Sequence, residues 1–66
     1  MKNTVKVERA LLDITQQQLA DAIGVSRNTI NSIESGKYIP STVLALKISR
    51  YFNKPTDSIF QLDDSD

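Results

Sequence analysis

Residues 15–37 read Thr15-Gln16-Gln17-Gln18-Leu19-Ala20-Asp21-Ala22-Ile23-Gly24-Val25-Ser26-Arg27-Asn28-Thr29-Ile30-Asn31-Ser32-Ile33-Glu34-Ser35-Gly36-Lys37, a run that specifies two helices and the turn between them. Thr15 and Gln18 have the spacing of a capping box, in which the threonine hydroxyl accepts from the Gln18 N–H and the glutamine side chain returns to the Thr15 N–H. Ile14, just ahead of the cap, is placed to pack on Leu19 as a hydrophobic staple. Leu19, Ala20 and Ile23 form the apolar stripe of a helix over 16–23, and Gly24 stands where a left-handed residue stops it. The same signals then repeat. Val25 and Ser26 supply a second staple residue and N-cap, Ile30 and Ile33 point inward, and Gly36 is the stop. Only Gly24-Val25-Ser26 separates the two helices, so they meet at a sharp angle and not as an antiparallel hairpin.

Upstream, a helix is expected from about Thr4 to Leu12. Val5, Leu12 and the stem of Arg9 share one face, and Val7, Leu11 and Ile14 extend the stripe. The alternation Val5-Lys6-Val7 also suits a strand, which leaves the helix start open. Asp13-Ile14-Thr15 breaks this helix and begins the next. Downstream, Pro40-Ser41 opens a helix that runs to about Phe52, with Val43, Leu44, Ile48, Tyr51 and Phe52 as its apolar positions and Asn53 as a left-handed stop. Pro55 opens a short fifth helix around Thr56–Ile59, with Asp57 in its first turn where the helix dipole favours an anion. Phe60-Gln61-Leu62 alternates as a strand does, and Asp63-Asp64-Ser65-Asp66 reads as a solvated end.

The chain has 66 residues, with neither cysteine nor histidine. That composition excludes a disulfide scaffold, thiolate metal sites and imidazole catalysis. No apolar run approaches the roughly 20 residues of a membrane span. The remaining Ser, Thr, Tyr, Lys and carboxylate side chains form no catalytic constellation, so the expectation is a cytoplasmic binding module with no enzymatic activity, cofactor or metal. The net charge is zero, but the charges are segregated. Residues 1–54 hold all eight bases against Glu8, Asp13, Asp21 and Glu34, a net +4, while the last twelve residues hold Asp57, Asp63, Asp64 and Asp66 and no base, a net −4. A basic body with an acidic tail is one reading and an ordinary solvated surface the other.

The run from Thr15 to Lys37 resembles the helix-turn-helix of lambda-repressor and Cro-type regulators, the xenobiotic-response-element family. Pro40-Ser41, Ala45-Leu46-Lys47-Ile48 and Asp57-Ser58-Ile59-Phe60 match that family's fourth and fifth helices, so the resemblance covers nearly the whole chain. It implies an all-α, compact five-helix domain over residues 1–66, with the helix-turn-helix at about 15–36, and the charge pattern adds an acidic tail at 63–66. It also implies double-stranded DNA as partner, with the third helix in the major groove. Two residues depart from the pattern. Glu8 occupies a position often apolar in relatives, which leaves open a rotated or late-starting first helix. Asn28 stands where many relatives carry glutamine, a position that helps set base preference.

The residue chemistry of the third helix points the same way. With Ile30, Ile33 and Glu34 inward, Asn28, Asn31, Ser32 and Ser35 face out and Arg27 and Thr29 flank them. That face has no acid and no large apolar side chain. It offers an Arg fork for guanine, an Asn amide for adenine, a Ser hydroxyl and a Thr methyl, so Arg27, Asn28, Thr29 and Ser32 are the candidate base contacts. The candidate backbone contacts are Gln16, Asn31, Ser35, Lys37 and Tyr38. Gln16 lies at a helix N-terminus that favours an anion, and by resemblance it also braces the third helix. Asn31 suits a base edge equally well, and the Tyr38 ring could instead cover the core. By resemblance, Arg9 and Glu34 form an ion pair between the first and third helices, and a Glu34 set between two isoleucines would be costly unpaired. A phosphate contact is the other reading of Arg9.

These readings converge on a sequence-specific DNA-binding transcriptional regulator, expected to act as a repressor by occupying a two-fold operator as a homodimer, with no sensor domain or ligand pocket evident at this length. An antitoxin-like or bridging protein-interaction module is the alternative. The expected subunit contact uses Ile59, Phe60 and Leu62, with short terminal strands pairing across the two-fold axis and residues near Met1–Asn3 joining them. Otherwise Phe60 and Leu62 cap the chain's own core.

Overall fold

In the computed structural model, which covers all 66 residues, the elements run β1 (Lys2–Asn3), α1 (Val5–Leu12), α2 (Gln16–Ile23), α3 (Arg27–Glu34), α4 (Thr42–Phe52), α5 (Thr56–Ile59) and β2 (Phe60–Gln61). The starts follow the capping residues. The Thr15 hydroxyl accepts from the Gln18 N–H at 3.0 Å, and the Gln18 side chain accepts from the Thr15 N–H at 2.8 Å, which completes the capping box. Ser26 caps α3 through the Thr29 N–H at 3.1 Å, and Ser41 caps α4 through the Leu44 N–H at 3.2 Å.

The stops share one device. After α1, α3 and α4 the chain enters the left-handed region at Asp13, Gly36 and Asn53. In each case the N–H of the next residue reaches back five positions, from Ile14 to Arg9, Lys37 to Ser32 and Lys54 to Ser49. These bonds satisfy carbonyls that a helix end leaves open. Asp13 and Asn53, at φ 55 and 56, show that a short polar side chain serves where glycine is the commoner choice.

The core is built from Val5, Leu19, Ala20, Ile23, Ile30, Ile33, Leu44, Ile48, Phe52, Ile59 and Phe60. Ile14 and Val25, the two staple residues, pack against it half-buried. The expected stripe of α1 needs correction. Val7, Leu11 and Leu12 are exposed, and the inward face of α1 is instead Val5 with Glu8, which is 8% exposed. Glu8 tolerates that position because Lys54 reaches its carboxylate at 2.8 Å from the segment after α4. The helix starts at Val5, one residue after the expected Thr4, with Glu8 on its inward face. On α4, Leu44, Ile48 and Phe52 face in as expected, but Val43 is exposed and Tyr51 is at the margin, its ring edge-on to Phe52 with centroids 5.2 Å apart.

The chain ends meet. β1 and β2 pair antiparallel within the one chain, Lys2 opposite Gln61 and Asn3 opposite Phe60. Ile59 and Phe60 lie in the chain's own core, and of the three residues expected at a subunit contact only Leu62 stands free, at 78% exposure. The tail is likewise more than a solvated end. The Met1 ammonium sits 3.3 Å from Asp63 and 3.1 Å from Asp66, while Asp63 also accepts from the Ser65 N–H and hydroxyl.

Candidate nucleic-acid interface

α3 is pinned from behind, which leaves its outer face free. The Arg9 guanidinium donates from Nε to Glu34 Oε2 at 2.6 Å, from Nη2 to Glu34 Oε1 at 3.0 Å, and from Nη1 to the Ile14 carbonyl at 2.9 Å. The Glu34 side chain is 5% exposed, so this two-point contact neutralises a carboxylate that could not stand alone there. The hydrogen bond to Glu34 raises the Arg9 pKa further above its already high ordinary value. Gln16, the first residue of α2, adds a second hold: its Nε2 lies 3.1 Å from Glu34 Oε1 and 3.2 Å from Asn31 Oδ1.

Of the outward residues, Arg27 and Asn28 are exposed and Ser32 half-buried. Neither Arg27 nor Lys37 enters an ion pair, whereas Arg9 and Lys54 are both engaged by carboxylates. Thr29 is also half-buried, and its hydroxyl shares a 2.9 Å hydrogen bond with the Ser26 hydroxyl. Its methyl is the part left to present. The Asn31 amide oxygen is taken by Gln16, which keeps the NH2 group available as a donor. Ser35 donates its hydroxyl to the Ser32 carbonyl at 3.2 Å. That carbonyl also collects the backbone N–H groups of Lys37 and Tyr38, at 2.9 and 3.2 Å, so the loop folds back against the end of α3. Tyr38 is thereby brought over the outer face: Asn28, Thr29, Ser32 and Tyr38 together line a cleft of about 250 Å³. Tyr38 is 45% exposed and is not among the side chains packed on the core.

A second cleft, of about 410 Å³, opens at the far end of α2 between Ala22, Ile23, Lys47, Arg50 and Tyr51. The contact that sequence reasoning missed is made by Asn3, whose side-chain amide donates to the Ile33 carbonyl at 2.9 Å. No periodicity marks it, because Asn3 lies in a strand of two residues.

A helix-turn-helix family model matches residues 5–59, from the first turn of α1 to the last residue of α5. The chain belongs to the Cro/C1-type helix-turn-helix family. This is a family of DNA-binding transcriptional regulators and not of enzymes. The chain is 48% identical over 66 residues to an uncharacterized HTH-type transcriptional regulator of Methanocaldococcus jannaschii, with the whole of each chain covered. It is 42% identical over 64 residues to the uncharacterized HTH-type transcriptional regulator YgzD of Bacillus subtilis, with 97% of each chain covered. A third relative, an uncharacterized HTH-type transcriptional regulator of Archaeoglobus fulgidus, is 44% identical over 66 residues, covering all of this chain and 93% of its own. As a helix-turn-helix protein, the chain uses α2 and α3 as its two-helix unit, and no helix is long and apolar enough to cross a membrane.

Proposed function

We propose that this regulator binds a specific two-fold operator as a homodimer, with α3 in the major groove, and acts as a repressor by occupying promoter DNA. The observation that carries the reading is the division of labour on α3. Its inner side is fixed by Ile30, Ile33 and the Arg9–Glu34–Gln16 network, while Arg27, Asn28 and Ser32 are left unpaired by any side chain on the outside. Arg27 has the fork that guanine requires and Asn28 the amide that adenine requires, with the Thr29 methyl and Ser32 hydroxyl beside them. Gln16, Asn31, Ser35, Lys37 and Tyr38 border this face and take the phosphate contacts, which set register without reading sequence.

One recognition helix reads only a few base pairs, and pairing two half-sites about 34 Å apart supplies the missing specificity. With Ile59 and Phe60 committed to the core, the exposed Leu62 is the member of the terminal segment left for a subunit contact. A second reading, a protein-interaction module, draws on Val7, Leu11 and Leu12, three exposed apolar side chains of α1.

Selection of bound duplexes from random DNA, followed by affinity measurement over a salt series, tests the proposal. Enrichment of a two-fold sequence with a clearly negative slope of log K against log salt is expected. A slope near zero with no enriched sequence overturns it in favour of the interaction module.

A further inference from the structure

α3 is held along its inner flank and at both ends. Ser26 caps its start, Arg9 and Gln16 grip Glu34 and Asn31, and its end is reached by one side chain from the beginning of the chain. Asn3 Nδ2 donates to the Ile33 carbonyl at 2.9 Å, across 30 positions of sequence. The same amide accepts through Oδ1 from the Val5 N–H at 3.2 Å. Its orientation is thus fixed from both sides, the oxygen on the first turn of α1 and the NH2 group on the last turn of α3. The Asn3 backbone is set separately, by pairing with Phe60 and by the bond from the Thr4 N–H to the Ile59 carbonyl at 2.9 Å.

The Ile33 carbonyl is one of those a helix end leaves without an intrahelical partner. It also accepts from the Gly36 N–H at 3.1 Å, the bond that turns the chain out of α3 toward Lys37 and Tyr38. Asn3 therefore holds the carbonyl from which both the end of α3 and the loop beyond it depart. We infer that Asn3 is a positioning residue for base reading: without touching DNA, it sets the angle at which α3 and the Lys37–Tyr38 loop meet the duplex, and it couples the β1–β2 sheet to sequence discrimination. The inference rests on the reading of α3 as the DNA-reading element. Directional hydrogen bonds to base edges weaken steeply off axis, so a small tilt of α3 costs discrimination before it costs phosphate attraction.

Asn3→Asp and Asn3→Ser test this. Both keep an oxygen for the Val5 N–H, and neither can donate to Ile33: the carboxylate has no N–H, and the serine hydroxyl is too short to span the gap. The probes are the duplex that the wild-type protein enriches from random DNA and the set of its single-base substitutions. In both variants the affinity ratio between enriched and substituted duplexes should fall about 3- to 10-fold, the size of one net hydrogen bond, while non-specific affinity and salt slope hold. In the free variants, amide exchange at Gly36 and Lys37 should accelerate while Leu19 and Ile30 stay protected. If Asn3→Asp fails to fold, Asn3→Ser carries the comparison. An unchanged discrimination ratio overturns the inference whatever happens to the melting temperature, because a mere strut lowers stability without relaxing base preference. If the wild-type protein enriches no sequence, the DNA-reading assignment itself fails and takes the inference with it, a result visible before either variant is used.

Discussion

Arg9 and Glu34, 25 positions apart in sequence, meet in a two-point contact that is almost closed to solvent, and the third donating group of the guanidinium holds the Ile14 carbonyl between α1 and α2. One side chain thus joins the first helix, the turn before the second and the end of the third. Arg9→Ala leaves the Glu34 carboxylate buried with only Gln16 to hold it. The expected loss is about 3–5 kcal/mol of folding stability, measured by urea denaturation. A loss below about 1 kcal/mol would instead be the behaviour of a surface pair.

Glu8 and Lys54 form a lopsided pair, since the carboxylate is buried while the lysine side chain is 44% exposed. Glu8→Leu removes the charge that is costly to bury and frees a lysine that water can solvate. It should be neutral or stabilising by up to about 2 kcal/mol. Lys54→Ala strands the carboxylate and should destabilise. Thermal melts of the two variants moving in the same direction would contradict this account.

Base and phosphate contacts separate by their sequence dependence. Arg27→Ala and Asn28→Ala should each cost about 1–3 kcal/mol on the enriched duplex and relax the preference at one base position. Lys37→Ala should weaken all duplexes alike and shallow the salt slope by about one unit. If Arg27→Ala selects the same sequence as the wild type, α3 is oriented differently in the groove.

The terminal clamp should open on both sides of neutrality. The Asp63 carboxyl is lowered from its ordinary 3.8 to about 2, chiefly by donation from the Ser65 hydroxyl and N–H, with the Met1 ammonium adding to it. The Met1 ammonium is raised above its ordinary 8.0, first by its hydrogen bond to Asp66. A lowered carboxyl contributes stability above its unfolded value and loses it as pH falls through the folded one, and a raised ammonium contributes below its unfolded value and loses it as pH rises. The clamp is therefore complete between roughly pH 4 and pH 8. Both groups lie at the surface, so the change is local: the Asp63 resonances should titrate near pH 2 and those of Met1 above pH 8, while the helical circular dichroism holds. Loss of helix between pH 8 and 10 in step with Met1 would show that the clamp supports the whole fold.

Leu62 tests the dimer. Leu62→Asp should leave a folded protein, because the side chain is exposed in the single chain, and should sediment as a monomer with weakened operator binding. A wild-type protein that is already monomeric at micromolar concentration and occupies a single half-site contradicts the proposed pairing.

What could be read in the sequence was what depends on near neighbours. Thr15 with Gln18, Ser26 with Thr29 and the stops at Gly24 and Asn53 each involve residues within a turn or two, and they place α2, α3 and α4 where they stand. α1 was misread in its facing because Glu8 breaks the apolar stripe, and Lys54, whose ammonium makes its burial tolerable, lies 46 positions away. The outer face of α3 was legible because Ile30 and Ile33 fix which side is inner. Asn3 was not, since its role exists only once β1 and α3 are side by side. Phe60 and Ile59 looked like spare apolar surface for a partner, because nothing local reveals that β2 finds β1.

The pairing of Lys2 with Gln61, and of Met1 with Asp66 some 65 positions away, gives the chain its longest closure. β1 precedes all five helices and β2 follows them, so every helix lies inside the loop that the strand pairing closes. Closing so long a loop costs more chain entropy than any contact between nearer residues, although that cost grows only slowly with length. The contact from Asn3 to Ile33 therefore draws on both ends of the fold, since the Asn3 backbone is itself paired with Phe60.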